Sequence, residues 1–243
     1  PWFYLPTWIF ISIPILYSLL FTLGIFLTVI IFIGLIKKIK LKNIDIIFFL
    51  LILVPILIPI LLGSTLYNGW RHVYFIYPFM VYFMVFFIFF IIEKIENKKI
   101  NSFLKLLLIV GLLDVSFWMI KNHPHQYVFF NKMIRKDVSL KFEMDYIAAS
   151  YKENLEYLIN NEKKDSFNIF NSSKTDIWYP LFSLYDSDRI KIVKSNKENA
   201  DYWITNYWFD DNIYNKNFFD KFEILNEVIV DGNKINTLFK RKN

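Results

Sequence analysis

The sequence predicts a membrane α-helical domain of four transmembrane helices, with both ends outside, followed by a small soluble α/β domain. Three observations carry that prediction. Four apolar runs, about 8–36, 44–62, 73–92 and 103–120, are each long enough to cross a hydrocarbon core of roughly 30 Å, which takes about 20 residues. The chain is 55% hydrophobic and 20% aromatic, too apolar for one soluble globule of its length. After Lys121 the composition turns abruptly to Asn, Asp, Lys, Glu and Tyr. The predicted domains are therefore 1–121 and 122–243.

Taken in order, the four runs are apolar around the whole helix rather than along one stripe, as lipid-facing helices are. Pro14, Pro55 and Pro59 lie inside them, and Pro78 lies in the third. Each is expected to kink its helix, which membrane helices tolerate. Lys37, Lys38, Lys40 and Lys42 follow the first run; Lys94, Lys98 and Lys99 follow the third, partly offset by Glu93 and Glu96. Short loops rich in Lys and Arg stay cytoplasmic. The loop between the second and third runs holds Arg71 as its one fixed cation, so it is expected outside, with the N-terminus and everything after His123. The protein is expected to be multi-pass in the cell inner (plasma) membrane, its soluble domain extracytoplasmic. Pro1-Trp2-Phe3-Tyr4-Leu5-Pro6 offers no Met and no basic segment before the first run, so it is not a signal peptide. The chain reads as the later part of a longer protein.

In the soluble part, Leu155, Leu158 and Ile159 between charges predict an amphipathic helix over 150–161. Strands are predicted over 166–170, 190–193 and 201–205, with a helix over 176–184. The closing segment reads as a hairpin, 222–230 and 234–239, because Asp231-Gly232 supplies the positive backbone dihedrals of a tight turn. Neither internal repeats nor low-complexity linkers are evident.

The formal net charge of +6 does not imply nucleic acid: on a membrane chain it reflects cytoplasmic loops, and the polar half has no basic stripe interleaved with ordered aromatics. Absence of Cys removes disulfides and thiolate metal sites. Heavy use of Ile, Lys, Asn and Phe lowers the weight of any single Lys or Asn. Nucleotide-binding loops, zinc-protease motifs and serine-nucleophile elbows are absent from the sequence.

Three constellations could carry chemistry. In Tyr67-Asn68-Gly69-Trp70-Arg71-His72, Gly69 permits a sharp turn and the Arg71 guanidinium offers two parallel hydrogen bonds to a phosphate at headgroup depth. His72 could add a donor. The plainer reading is a snorkelling Arg71 with Trp70 and Tyr74 as interface anchors. In His123-Pro124-His125-Gln126-Tyr127 with Asn131, two His at i and i+2 lack a completing carboxylate or Cys for a metal. A polar cluster able to hydrogen-bond a sugar or pyrophosphate fits better, with a helix-ending cap as the plain alternative. In Phe142-Glu143-Met144-Asp145-Tyr146 with Ser150-Tyr151, carboxylates could act as acid and base or bind a sugar hydroxyl. Ser150 is expected to be an N-cap, with Glu153 completing a capping box. Asp114, inside the fourth run, is a functional candidate or the partner of a Lys, a His or a backbone donor. A transporter or channel is disfavoured because the runs hold few polar groups beyond Asp114.

Together, the strings 67–72, 123–131 and 142–146 with Ser150-Tyr151 resemble the C-terminal half of bacterial membrane glycosyltransferases of the GT-C class. These are the polyprenyl-phosphate-sugar-dependent enzymes akin to the dolichyl-phosphate-mannose protein mannosyltransferases. The opening Pro1 to Pro6 is similar to the segment that leads from an external loop into the next span, so the resemblance covers about 1–155. The chain departs from the family pattern at Asn68, where the family has Asp; at His125, where it has an aromatic; and at Ile147-Ala148, where it has Trp-Gly. The resemblance implies transfer of a sugar from a polyprenyl-phosphate donor to an unknown acceptor at the bilayer's outer face, without a cofactor or metal. It implies that Arg71 and His72 hold the donor phosphate. Substrate contacts would come from Tyr67, Asn68, His123, His125, Gln126, Tyr127, Asn131, Asp145 and Tyr146. The catalytic Asp of such enzymes is expected upstream of this chain. The alternative is a non-enzymatic, membrane-anchored protein whose α/β domain binds a glycan or partner.

Overall fold

A computed structural model describes residues 2–36, 39–134, 138–210 and 214–242. Pro1, Lys37 and Lys38, which entered the sequence argument, lie outside the described residues. The chain divides into two compact units, Pro1–Lys121 with Phe129–Ile134, and Asn122–Val128 with Arg135–Asn243.

The first unit is helical. The run beginning at Trp8 is two helices rather than one: α1 (Tyr4–Ser12) and α2 (Ile15–Phe32). Between them Ile13 is extended, φ −116° and ψ 153°, because the Pro14 ring bars the residue before it from helical geometry. Pro14 thus breaks the helix outright, where a kink was expected. Next come α3 (Asn43–Leu61), with Pro55 and Pro59 inside it, and a 3-10 stretch, Arg71–Ile76, leading into α4 (Tyr77–Lys94). Pro78 lies in the first turn of α4, where a missing N–H costs nothing, so it does not interrupt that helix as predicted. The last helix, α5, spans Lys98–Lys121. Four stretches are long and apolar enough to cross a membrane: Ile15–Phe32, Asn43–Leu61, Arg71–Lys94 and Lys98–Lys121.

Gly24 brings α2 against the α4 backbone. A Cβ there would fall 2.2 Å from the carbonyl oxygen of Phe83, so only the smallest residue allows this approach, as is usual where membrane helices meet. Phe21, Met80, Phe83 and Met84 fill the contact, joined by Leu5 and Ile9 of α1. Leu57, Leu61, Leu113, Phe117 and Ile120 remain on the outside of α3 and α5. In water that apolar surface would be costly, whereas a hydrocarbon surround accepts it.

The second unit is a small mixed sheet with helices. Its elements are α6 (Ser150–Asn161), β1 (Phe167–Asn171), α7 (Trp178–Leu181), α8 (Asp186–Arg189), β2 (Ile192–Lys194), β3 (Tyr202–Thr205), α9 (Lys216–Lys221), β4 (Phe222–Val230) and β5 (Asn233–Arg241). Strand order is β2-β1-β3-β5-β4. The β1 strand runs parallel to both β2 and β3, while β5 runs antiparallel to β3 and to β4. The β4–β5 turn holds Asp231 at φ 50° and Gly232 at φ 79°, the left-handed pair that a two-residue hairpin needs. Tyr151, Leu155 and Leu158 of α6 pack on Phe167, Ile169, Tyr202 and Ile204. Trp203, between the last two, points to the opposite face and meets Phe222, Phe239 and Phe218, so β3 is buried on both sides. From β1 the chain passes to β2 on one side, then returns to β3 on the other. The carboxyl ends of β1 and β3, paired at Asn171 and Ile204, therefore flank a topological switch, the place where open α/β sheets take ligands.

Candidate functional site

In the first unit, Asn68 (φ 55°) and Gly69 (φ 73°) reverse the chain before Trp70. Both adopt the left-handed region, which glycine, and to a lesser degree asparagine, enters readily. Trp70 is buried, and its indole N–H donates to Ser12 Oγ at 2.7 Å; that hydroxyl donates to the Trp8 carbonyl at 2.6 Å. Trp70 is thus an internal peg that ties this turn to the end of α1, a correction to its reading as an interface anchor. The next two side chains face outward. The Arg71 guanidinium carbon lies 4.9 Å from the centre of the Tyr67 ring, and the His72 ring meets the same ring edge-on at 5.1 Å. Tyr67, Arg71 and His72 form one exposed cluster, while Asn68 is buried in the turn beneath it. A guanidinium laid on an aromatic ring loses little hydration and keeps the planar fork that matches phosphate oxygens.

Also in the first unit, Asn131 does structural work. Pro14 has no N–H for the Phe10 carbonyl, its helical partner four residues back. The Asn131 side-chain amide supplies that bond at 2.6 Å and reaches the Ile13 carbonyl at 3.3 Å; its backbone N–H donates to the Ile11 carbonyl at 2.9 Å. Asn131, named above as a substrate contact, is buried and clamps the α1–α2 break. Asp114 pairs with Lys132, whose ammonium donates to both carboxylate oxygens at 2.7 and 2.8 Å. Sequence reasoning missed Asp45, which is buried, accepts the Lys42 backbone N–H at 2.6 Å and takes a short hydrogen bond from Tyr82. The signal was there: an acid at the start of an apolar run, three residues after Lys42, is at capping spacing.

In the second unit, His125, Tyr127 and Asp145 come together. His125 is buried with Nε2 2.8 Å from Glu153 Oε2, and the Tyr127 hydroxyl lies 3.5 Å from His125 Nδ1 while donating to Asp145 at 2.7 Å. Asp145 is 1% exposed. It accepts the Ala149 N–H at 3.0 Å, the Ser150 N–H at 3.4 Å and a short bond from the Ser150 hydroxyl. The expected capping box is therefore wrong. Ser150 is already helical, Asp145 satisfies the start of α6, and Glu153 turns to His125; a carboxylate is the stronger acceptor for the free amides of a helix start. Burial raises the Asp145 carboxyl above its ordinary range, against the lowering by its hydrogen bonds from Ser150, Tyr127 and the backbone. Burial, then the neighbouring Asp145 charge, pushes the Tyr127 hydroxyl up, so it stays a donor. This network is buried at Asp145 and braces the start of α6. His123 and Gln126 form a separate exposed pair, their side chains 2.9 Å apart, and Tyr146 is half-buried.

The second unit also holds a cleft that sequence reasoning missed, at the carboxyl end of β3. Asn206 donates to the Asp145 carbonyl at 2.7 Å and to Thr175 at 3.1 Å. Tyr151 bonds Asn171 and Ser173 at the end of β1. Beyond Asn206 the chain passes through Tyr207 (φ 62°) and Phe209 (φ 45°), a left-handed geometry costly for bulky residues. Ser139, Lys141, Glu143, Asn206, Tyr207, Trp208 and Lys234 are among the residues lining a cavity of about 260 Å³. The buried Trp208 indole nitrogen has no acceptor among the described residues. The predicted strand ends, one followed by Asn171-Ser172-Ser173 and the other by Asn206, were the signal for this place. Among the described residues no group of three or more His, Asp or Glu is gathered to hold a metal. Comparison with protein-family models, curated proteins and solved structures finds no match to the chain.

Proposed function

We propose that this chain is the lipid-phosphate-binding part of an integral membrane glycosyltransferase, which moves a sugar from a polyprenyl-phosphate donor to an acceptor at the extracytoplasmic face. One observation supports this above the others: the exposed Tyr67, Arg71 and His72 cluster at the entrance to a span-length apolar helix. A departing prenyl phosphate has its charge at headgroup depth and its tail in hydrocarbon. A guanidinium fork at the N-terminal end of such a helix meets the first while the helix continues into the second. The lysine-bearing loops, retained on the cytoplasmic side, leave this cluster and residues 122–243 facing out. In this reading Arg71 stabilises the leaving phosphate, His72 adds a hydrogen bond and Tyr67 holds the guanidinium flat. The base that deprotonates the acceptor is not assigned within this chain.

Titration of the chain in detergent micelles with farnesyl phosphate tests the reading. Arg71→Ala should weaken binding by about 10- to 100-fold, the loss of a charge-assisted hydrogen bond worth roughly 1.5–3 kcal/mol, and Arg71→Lys should fall between. Equal binding by Arg71→Ala and the parent would refute it. The cavity at the end of β3 favours a second reading, in which the helices anchor a glycan-binding or partner-binding domain. Under that reading Arg71→Ala leaves ligand capture intact and Trp208→Ala abolishes it.

A further inference from the structure

The outward surface of the second unit is not uniformly polar. Around α7, Ile177, Pro180, Leu181 and Leu184 are buried, the i, i+3, i+4, i+7 spacing of a helical stripe. The opposite stripe, where a soluble domain carries charge, holds Trp178, Tyr179, Phe182 and Tyr185, of which the last three are 75%, 68% and 81% exposed. Ile190, 78% exposed, follows directly after α8. The Phe-rich composition of the chain does not explain this. On α6 of the same unit the outward positions are Lys152, Glu153 and Glu156, with Lys152 and Glu156 paired along the helix.

The charges around the aromatic stripe are arranged to accompany it. The Lys194 ammonium lies 4.5 Å from the Trp178 ring centre and pairs with Asp176 at 2.8 Å; the Arg189 guanidinium lies 5.3 Å from the Phe182 ring centre and pairs with Asp186 at 2.8 Å. Lys191 pairs with Asp188 at 2.9 Å. Cation and anion are thus paired beside the rings, and the three pairs carry no net charge, matching a layer of zwitterionic headgroups. Rings with one apolar face and one polar edge are the side chains that settle at the water–hydrocarbon boundary. The same chain carries four helices of span length and composition, so a bilayer is always within tethered reach of this surface.

We infer that Trp178, Tyr179, Phe182, Tyr185 and Ile190 form a lipid-docking surface, which seats the second unit on the headgroup layer of a zwitterionic bilayer. Pairing of its charges makes the docking insensitive to salt, unlike attraction of a basic patch to anionic lipid. The absence of Cys makes the test direct. Single cysteines at Phe182→Cys and Tyr185→Cys are spin-labelled in the whole chain, reconstituted into phosphatidylcholine vesicles, and their collisions with oxygen and with a water-soluble nickel chelate are compared. Glu223→Cys, exposed on β4 at the other edge of the sheet, is the aqueous reference. Labels at 182 and 185 should favour oxygen over nickel several-fold relative to 223, at low and high salt alike. Equal exposure to nickel at all three positions would overturn the proposal. So would labels at 182 and 185 shielded from both reagents, because that pattern marks a protein partner or a second copy of the chain.

Discussion

Gly24 and Gly111 make a paired test of how the first unit is packed. A methyl group at either position lands 2.2 Å from its nearest neighbour, the Phe83 carbonyl oxygen for Gly24 and Leu16 Cδ2 for Gly111. The number is the same and the obstacle is not. Beside Gly24 the Phe83 carbonyl carbon follows at 2.8 Å, so only backbone can yield, and α2 must retreat from α4 by roughly 1 Å to restore ordinary contact. A gap of that size forfeits a quarter to a half of each dispersion contact around Phe21, Met80 and Met84. Overpacking of this kind costs about 1–3 kcal/mol, offset by roughly 1 kcal/mol from replacing a helical glycine. Beside Gly111 the obstacle is the tip of a leucine, with Leu16 Cγ already 3.5 Å away; a rotamer change clears it at about the energy the alanine returns. In micelles, with unfolding by SDS followed by far-ultraviolet ellipticity, Gly24→Ala should lose up to about 2 kcal/mol, a factor of as much as about 30 in the folded ratio. Gly111→Ala should match the parent. Equal stability of Gly24→Ala and the parent, or an equal loss in Gly111→Ala, would refute the assignment of a backbone contact.

Two further outcomes follow from the buried polar groups. Asn131→Ala strips the Phe10 and Ile13 carbonyls of their donor and should lower the stability of the chain by about 1–3 kcal/mol; a variant as stable as the parent would return Asn131 to the list of ligand contacts. Asp145 holds its proton more tightly folded than unfolded, because burial dominates. Its contribution is therefore fully present below the unfolded carboxylate value and declines as pH rises through the raised folded value. Asp145→Asn, which cannot ionise, should flatten that decline in the unfolding midpoint above about pH 4, at the cost of the acceptors it removes from Tyr127 and Ser150; an unchanged slope would assign the pH dependence elsewhere.

Most elements were legible in the sequence, because their signals are local. Apolar length marked the four long helices, alternation marked the strands to within two residues at each end, and Asp231-Gly232 marked the hairpin turn. Two short helices, α8 and α9, were not predicted, and α7, predicted over 176–184, spans only Trp178–Leu181, because four to six residues carry too little periodicity to fix an element. The candidate site was legible only in part. The juxtaposition of Tyr67, Arg71 and His72 follows from six residues of chain and a turn-forming glycine. What His125, Asn131, Asp145 and Ser150 do could not be read from their neighbours. Their partners are Glu153, the α1 carbonyls, Tyr127 and Asp145, brought to them by folding.

By itself the sequence determined which segments are apolar enough to lie in hydrocarbon, where the closing hairpin turns, and that strands and helices follow the apolar runs. These depend on side-chain transfer energies and backbone sterics, which act over a few residues. Tertiary structure alone decided the strand order that opens a cleft beside β3, the burial of Trp70, and the use of Asn131 to complete a helix end 121 positions away. Hydrogen-bond satisfaction in a packed interior is a condition on the whole fold, and no window of sequence contains both ends of such a bond.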